Sequence, residues 1–429
     1  MNANEDRTDV LVIGGGLAGL TAAATAARAG ARVRLLERGL TLGGRARTRD
    51  EGAYRLNYGA HALYRGGPAM RVLEALNIAP DGEAPDLNNT FAVFDGRLEL
   101  LPINTLTLAR SGLFNTADKI DFGRAYAKLA DGAANARAGE SLADALGRMT
   151  SRPRVLAMLN ALVRLATYAN APDELDAAAV FEQARMAKGG VLYLDDGWSQ
   201  LVDVLAARAE EAGVEIETEA VVASVQRRDE VWRIEMANGD ASVARFVILA
   251  VEPDVAAQLA PHASSLKRAA ENARPARAVT LDIGLSRLPR PDRTFALGVD
   301  SPTYFSVHSN IARLAPEGGA LVHVARYLGP DEAPAPEMLA ELETLLDLVQ
   351  PGWREHLAAE QKLAGAVVSF DTPRAAAGGF KGRQPVDVGE GLFVAGDWVS
   401  DEGLLSDAAF ASGAEAGRAA AAARWKDAA

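Results

Sequence analysis

A chain of 429 residues is too long for one ordinary hydrophobic core and suits two domains of common size. Hydrophobic residues make up 49% and charged residues 24%, a globular balance, and the formal charge of −12 sets the surface against nucleic acid. With no cysteine at all, disulfides, thiolate metal sites, a cysteine nucleophile and a prosthetic group attached through sulfur are excluded.

The polar start MNANEDRTD does not read as a secretion signal. The best candidate for a bilayer span, 155–171, is interrupted by Arg164 and carries Asn160 and Asn170. A cytoplasmic protein is the expectation. In chain order, a strand over 9–13 leads through a glycine-rich turn to a helix ending near Ala29 and a second strand over 32–37. Short runs at 91–94 and 97–101 flank Asp95-Gly96, a hairpin signal. From Asn104 to about Ala187 the pattern is helical, with Ser141 and Asp144 spaced as a helix cap and Pro153 and Pro172 as punctuation. Asp195-Asp196-Gly197 reads as a turn rather than a metal loop, and no histidine or carboxylate spacing suggests a metal. An amphipathic helix over 198–212 follows, then strands over 214–225, 231–237 and 243–251, the last two joined across Asn238-Gly239. The stretch 261–380 mixes strands with a helix near 338–349. The end returns to a strand over 392–395, a turn at Gly396 and a long helix from about Ser406.

Gly14, Gly16 and Gly19 form G-x-G-x-x-G between the first strand and its helix, and Glu37 closes the second strand. That is a dinucleotide cradle. Gly14 permits the tight turn, Gly16 lets backbone approach a pyrophosphate, and Gly19 lets helix and strand pack closely. The helix N-terminus supplies amides and a favourable dipole, and Glu37 accepts ribose hydroxyls. A second glycine turn, Gly43-Gly44, precedes Arg45 and Arg47; it suits further wrapping of a bulky cofactor, or a solvated loop.

The segment VLVIGGGLAGLTAAATAARAGARVRLLERGLTLGGRART resembles the N-terminal signature of the flavin amine oxidase, protoporphyrinogen oxidase and phytoene desaturase superfamily. GLFVAGDWVSDEGLLSDAAFASGAEAGRAA resembles its second flavin segment, and GVEIETEAVVASV with RFVILAVEP resembles the strands between. The resemblance implies non-covalent FAD. It places Gly14, Gly16, Gly19, Glu37, Arg38, Gly44 and Arg45 on the ADP half and Val222 against adenine. Gly59, Ala60 and His61 would pass beside the isoalloxazine, Gly396 and Asp397 would hold ribityl and phosphate oxygens, and Leu405 and Ser406 would aim a helix N-terminus at the flavin.

It further implies an α/β architecture: a Rossmann-type FAD-binding domain from 1–75, 190–260 and 380–429, and a discontinuous mixed α+β substrate domain from 76–189 and 261–379. The expected chemistry is dehydrogenation or desaturation of a small or apolar substrate by hydride transfer to flavin N5. The alternatives are amine oxidation, or isomerisation without net redox change. A lysine common in flavin amine oxidases is missing from the matching stretch 277–281, which favours the desaturase side. Only one complete dinucleotide fingerprint is present, so the electron acceptor is expected to be oxygen, a quinone or another protein.

His61 is the first titratable candidate, as flavin partner or proton shuttle, or as a ring that merely packs. Tyr304, His308 and Arg326 lie in strand-like runs with His323 and Tyr327 and are candidates for the substrate pocket; alternation sends His323 and Ala325 to one face and Val324 and Arg326 to the other. Trp398, beside Asp397, is a candidate wall. The stretch 101–129 is expected to cover the substrate domain as an amphipathic helix, or to give peripheral membrane contact.

Overall fold

The computed structural model describes residues 8–86, 88, 90–399 and 401–426; most of the polar start lies outside them. The chain opens with β1 (Thr8–Ile13), α1 (Leu17–Arg28), β2 (Val33–Leu36), β3 (Thr48–Glu51), β4 (Tyr54–Asn57), β5 (Leu63–Tyr64), α2 (Pro68–Ala75) and β6 (Gly82–Glu83). A hairpin, β7 (Thr90–Phe94) and β8 (Arg97–Leu100), leads into α3 (Thr105–Arg110), α4 (Thr116–Ala130), α5 (Leu142–Met149), α6 (Pro153–Thr167) and α7 (Ala177–Ala187). Next are β9 (Val191–Leu194), α8 (Ser199–Glu211), β10 (Glu215–Glu217), β11 (Val222–Arg228), β12 (Val231–Met236), β13 (Ala241–Leu249), α9 (Pro253–Leu259) and α10 (Ser264–Asn272). The last part holds β14 (Ala276–Leu285), β15 (Phe295–Gly298), β16 (Thr303–Val307), β17 (Ala320–Tyr327), α11 (Pro336–Val349), β18 (Leu357–Ser369), β19 (Asp387–Gly389), β20 (Leu392–Val394) and α12 (Leu405–Lys426).

Two large sheets organise these elements. The first runs β10-β2-β1-β13-β12-β11, with β20 also beside β13 and β19 beside β20. Its centre is parallel, and Val10, Leu11 and Val12 of β1 are fully buried, as expected of a strand covered on both faces. The second runs β18-β14-β17-β16-β15-β7-β8 and is antiparallel except where β15 meets β7. This is the mixed α/β architecture anticipated from the sequence. The helix α12 returns from the far end of the chain to lie on α1. Gly413 and Gly417 permit the approach, because added Cβ atoms would sit 2.4 and 2.5 Å from the Ala18 and Ala22 carbonyls.

Several local expectations hold at atomic detail. Ser141 Oγ accepts from the Asp144 amide at 3.2 Å, and Pro153 opens α6. Asp95-Gly96 and Asp196-Gly197 turn with φ of 51°, 67°, 59° and 84°. Other expectations change. The strand over 214–225 is two strands, broken where Glu219 takes φ 56°. The reason is partnership: β10 pairs parallel with β2, whereas β11 pairs antiparallel with β12, and one straight run cannot serve both. The start of 261–380 is the helix α10, a mostly polar segment that buries only Leu266, so it offers no apolar run that would mark it out in the sequence. In 101–129, α4 buries Phe122, Ala125 and Leu129 as a cover, while Leu106 and Ile120 stay exposed. Among the described residues no helix is long and apolar enough to cross a membrane.

Candidate functional site

A cavity of about 440 Å³ lies along the C-terminal ends of β1 and β2 and reaches the second sheet. It runs from Glu37, Arg38 and Val222 to His61, Trp198 and Leu405. Every residue expected to contact the cofactor lines it except Gly19 and Gly59. Gly19 lies beneath: a Cβ there would be 1.8 Å from the Gly14 carbonyl oxygen. Gly14, at φ 106°, turns the chain, while Gly16 has its nearest foreign atom 4.0 Å from an added Cβ and faces open space. Gly59 lines a smaller cavity beside the first.

The Glu37 carboxylate accepts from the Gly15 amide at 2.6 Å and the Gly39 amide at 2.7 Å, which holds both flanking turns. Arg38 sits at the rim, largely exposed, 3.2 Å from Glu252. A bulge between Val222 and Ser224 falls where β11 borders the cavity. Arg45 joins the segments: it pairs with buried Asp397 at 2.8 Å, donates to the Val368 carbonyl at 2.8 Å and lies 4.4 Å over the Phe370 ring. Leu405 enters α12 at φ 56°, and the Ser406 hydroxyl donates to the Ala62 carbonyl, drawing the helix start against the 60–62 segment. Trp398 walls the cavity and donates its Nε1 to Val251 O at 3.0 Å. An open backbone turn at a helix N-terminus, a carboxylate at the end of β2 and a second helix N-terminus at the far end are the groups that would hold an extended FAD, Glu37 at its ribose and the α12 N-terminus at its flavin end.

His61 stands on the wall, its ring 4.8 Å from that of Trp198. Both ring nitrogens lie 2.9 Å from backbone carbonyls, of Gly59 and Arg45. Only an imidazolium could donate to both, yet burial, assisted by the Arg45 charge, lowers its pKa to about 4. With no carboxylate paired to the ring, burial prevails and the ring is neutral. A neutral ring donates through one nitrogen only, and with both nitrogens facing the Gly59 and Arg45 carbonyls the geometry favours the packing alternative for His61 over the proton shuttle.

The second sheet turns a polar face to this wall. Alternation holds: His323, Ala325 and Tyr327 share it with Thr280, Asp282, Tyr304 and Ser306. Tyr304 and His308 stand away from the main cavity, with Tyr304 Oη 3.4 Å from His308 Nε2 and His308 lining the smaller one. Arg326 is the other correction. It points to the opposite face and pairs with Glu332 at 2.8 Å and Glu341 of α11 at 2.7 Å, because odd and even positions of one strand diverge. Sequence reasoning missed Asp282, Gln361 and Phe370. A buried acid reads as a strand interruption until its cross-strand partner, His323, is known.

The family model for flavin containing amine oxidoreductases matches residues 17–423. No match was found among curated protein sequences. Solved structures share the fold. An oxidoreductase from Methanosarcina mazei superposes with a TM-score of 0.75 at 19% identity, over 95% of this chain and 99% of its own. Cyclohexylamine oxidase from Brevibacterium oxydans IH-35A gives 0.70 at 16%, over 97% and 99%. A reduced UDP-galactopyranose mutase gives 0.71 at 14%, over 96% and 94%. The chain therefore belongs to the flavin-containing amine oxidoreductase family and is an FAD-dependent oxidoreductase.

Proposed function

We propose that the protein dehydrogenates a small or apolar organic substrate, passing a hydride to N5 of non-covalently held FAD. The observation that carries this reading is the composition of the cavity's far end. Ala60, Val368, Leu405 and Trp198 are apolar, the one buried carboxylate there, Asp397, is already paired with Arg45, and no lysine lines either cavity. Such walls favour a neutral, apolar group next to the ring. The flavin supplies the hydride acceptor; the chain orients the substrate, excludes water and handles the proton. Amine oxidation is the second reading, supported by the family model and by the shared fold of cyclohexylamine oxidase.

Oxygen, a quinone or another protein reoxidises the flavin in this reading, which assigns to FAD the single strand–glycine–helix cradle found among the described residues. A cytoplasmic setting with peripheral membrane contact belongs to it as well, through Leu106 and Ile120, which are 65% and 54% exposed. The test is anaerobic: candidate alkenes, porphyrinogens, amines and each nicotinamide are mixed with the yellow holoprotein and the oxidised-flavin absorbance followed. Bleaching by an apolar dehydrogenation substrate supports the proposal. Rapid bleaching by NADH or NADPH, or by amines alone, overturns it, as does flavin left on the denatured chain for the non-covalent part.

A further inference from the structure

Three of the five histidines, His61, His308 and His323, meet around one small cavity with Asp282 and Tyr193. With ≈ 20 Å³ open to the centre of a water-sized sphere, it admits one water and no substrate. It abuts the flavin wall, since His61 and Trp198 line both cavities. His323 is 2% exposed and its Nδ1 is 2.5 Å from Asp282 Oδ1, on the neighbouring strand in direct register. Gln361 lies 3.4 Å from the other carboxylate oxygen. An ionised Asp282 requires the proton on Nδ1, so Nε2 is a bare acceptor, and it has no partner at the cavity wall. A metal is not indicated, since no group of three ligands gathers among the described residues.

The groups around His323 decide where a proton can rest. His308, stacked at 5.3 Å, is held neutral by burial and by His323 itself, and His61 is neutral as described. Burial keeps Tyr304 and Tyr193 as phenols. Of the three imidazoles around the cavity, only His323 has a carboxylate partner. Tyr304 does not line the main cavity itself but belongs to the same buried cluster as Val368 and Leu405, which do, and its hydroxyl reaches His308 and Tyr193 at 3.4 Å each.

We infer that Asp282 and His323 form the proton-accepting unit of the reaction, acting through a water in this cavity. The inference rests on the dehydrogenation proposed above. When a substrate carbon loses hydride to the oxidised flavin, the neighbouring X–H or C–H bond breaks heterolytically and its electron pair forms the new double bond. The released proton passes by the tyrosine hydroxyls to the water, which gives one of its own to Nε2. The product is an imidazolium held by Asp282 beside the reduced, anionic flavin, and charge balances. His323 is the proton carrier and Asp282 its positioning residue.

Histidine nitrogen NMR of the holoprotein tests this without turnover, with the five ring signals assigned by substitution. Oxidised protein should show His323 protonated at Nδ1 alone, and anaerobic dithionite reduction should add a proton at Nε2. Asp282→Asn should abolish the tautomer preference. In parallel, the flavin midpoint potential should lose one proton per two electrons in His323→Gln, about 30 mV for each tenfold change in proton activity. A proton on Nε2 in the oxidised protein, or a His323 signal and potential unmoved by reduction and substitution, overturns the inference alone. A chain that binds no FAD overturns the functional reading first, with the tautomer still readable in the apoprotein.

Discussion

At the first strand the site is made of backbone; on the second sheet it is made of side chains carried by four strands. The cradle of residues 13–19 needs little beyond its own glycines: one to turn, one to leave room, one to let the helix sit down. The polar face of β14, β16, β17 and β18 has no such local grammar. Its members meet by register, and Asp282 finds His323 41 residues away. The cradle therefore tolerates no side chain at Gly14 or Gly19 but asks little of the rest of the chain, whereas the sheet face depends on every strand being in place.

Substitutions within the cradle give the largest effect and the sharpest contrast. Gly19→Ala puts a Cβ 1.8 Å from the Gly14 carbonyl oxygen and should cost about 4 kcal/mol or more, with loss of folded protein in urea titrations. Gly16→Ala meets open space, so the apoprotein should keep its stability to within about 0.5 kcal/mol while FAD binding weakens. If both variants unfold alike, the division between turn and ligand glycines is wrong.

Glu37→Ala comes next. Loss of a charged acceptor in a closed site should cost about 1.5–3 kcal/mol of FAD affinity, read by equilibrium dialysis. Because Glu37 also binds the Gly15 and Gly39 amides, part of the loss should appear as a lower apoprotein Tm. Full flavin occupancy after dialysis would remove Glu37 from the site.

A smaller, pH-dependent effect is expected at Asp407, the third residue of α12. Burial raises its pKa from 3.8 to about 7, with Oδ1 accepting from the Ala69 amide and Oδ2 unpartnered. Between those values the folded protein holds a proton that the unfolded chain has released, so stability falls as pH rises from 3.8 to 7. His61 and His308 act oppositely: the unfolded chain takes protons below 6.5 that the fold refuses, so stability falls with acid. Asp407→Asn should be more stable than the parent at pH 8 and equal to it near pH 4, by urea midpoints; equal midpoints at pH 8 would refute the buried proton. Smallest of all, Arg326→Ala should cost about 1 kcal/mol through its two ion pairs and leave the flavin spectrum unchanged. A shifted spectrum would return Arg326 to the pocket.

What could be read beforehand was whatever a short stretch of chain decides. The glycine spacing, the Ser141 cap, the Asp-Gly turns and the acid closing β2 all depend on dihedral preferences and hydrogen bonds within a few residues. Both the cradle and the long C-terminal helix were legible for that reason. Even Arg326 carried its answer in the strand's period of two, once one face was known to hold His323. Tertiary structure alone decided that Arg45 meets Asp397 across 352 residues, that the run at 214–225 divides between two partners, and that both nitrogens of His61 face backbone carbonyls. Such pairings are set by the register of whole strands and helices, a sum of many weak contacts over the folded core, and no single segment carries enough of that sum to reveal them.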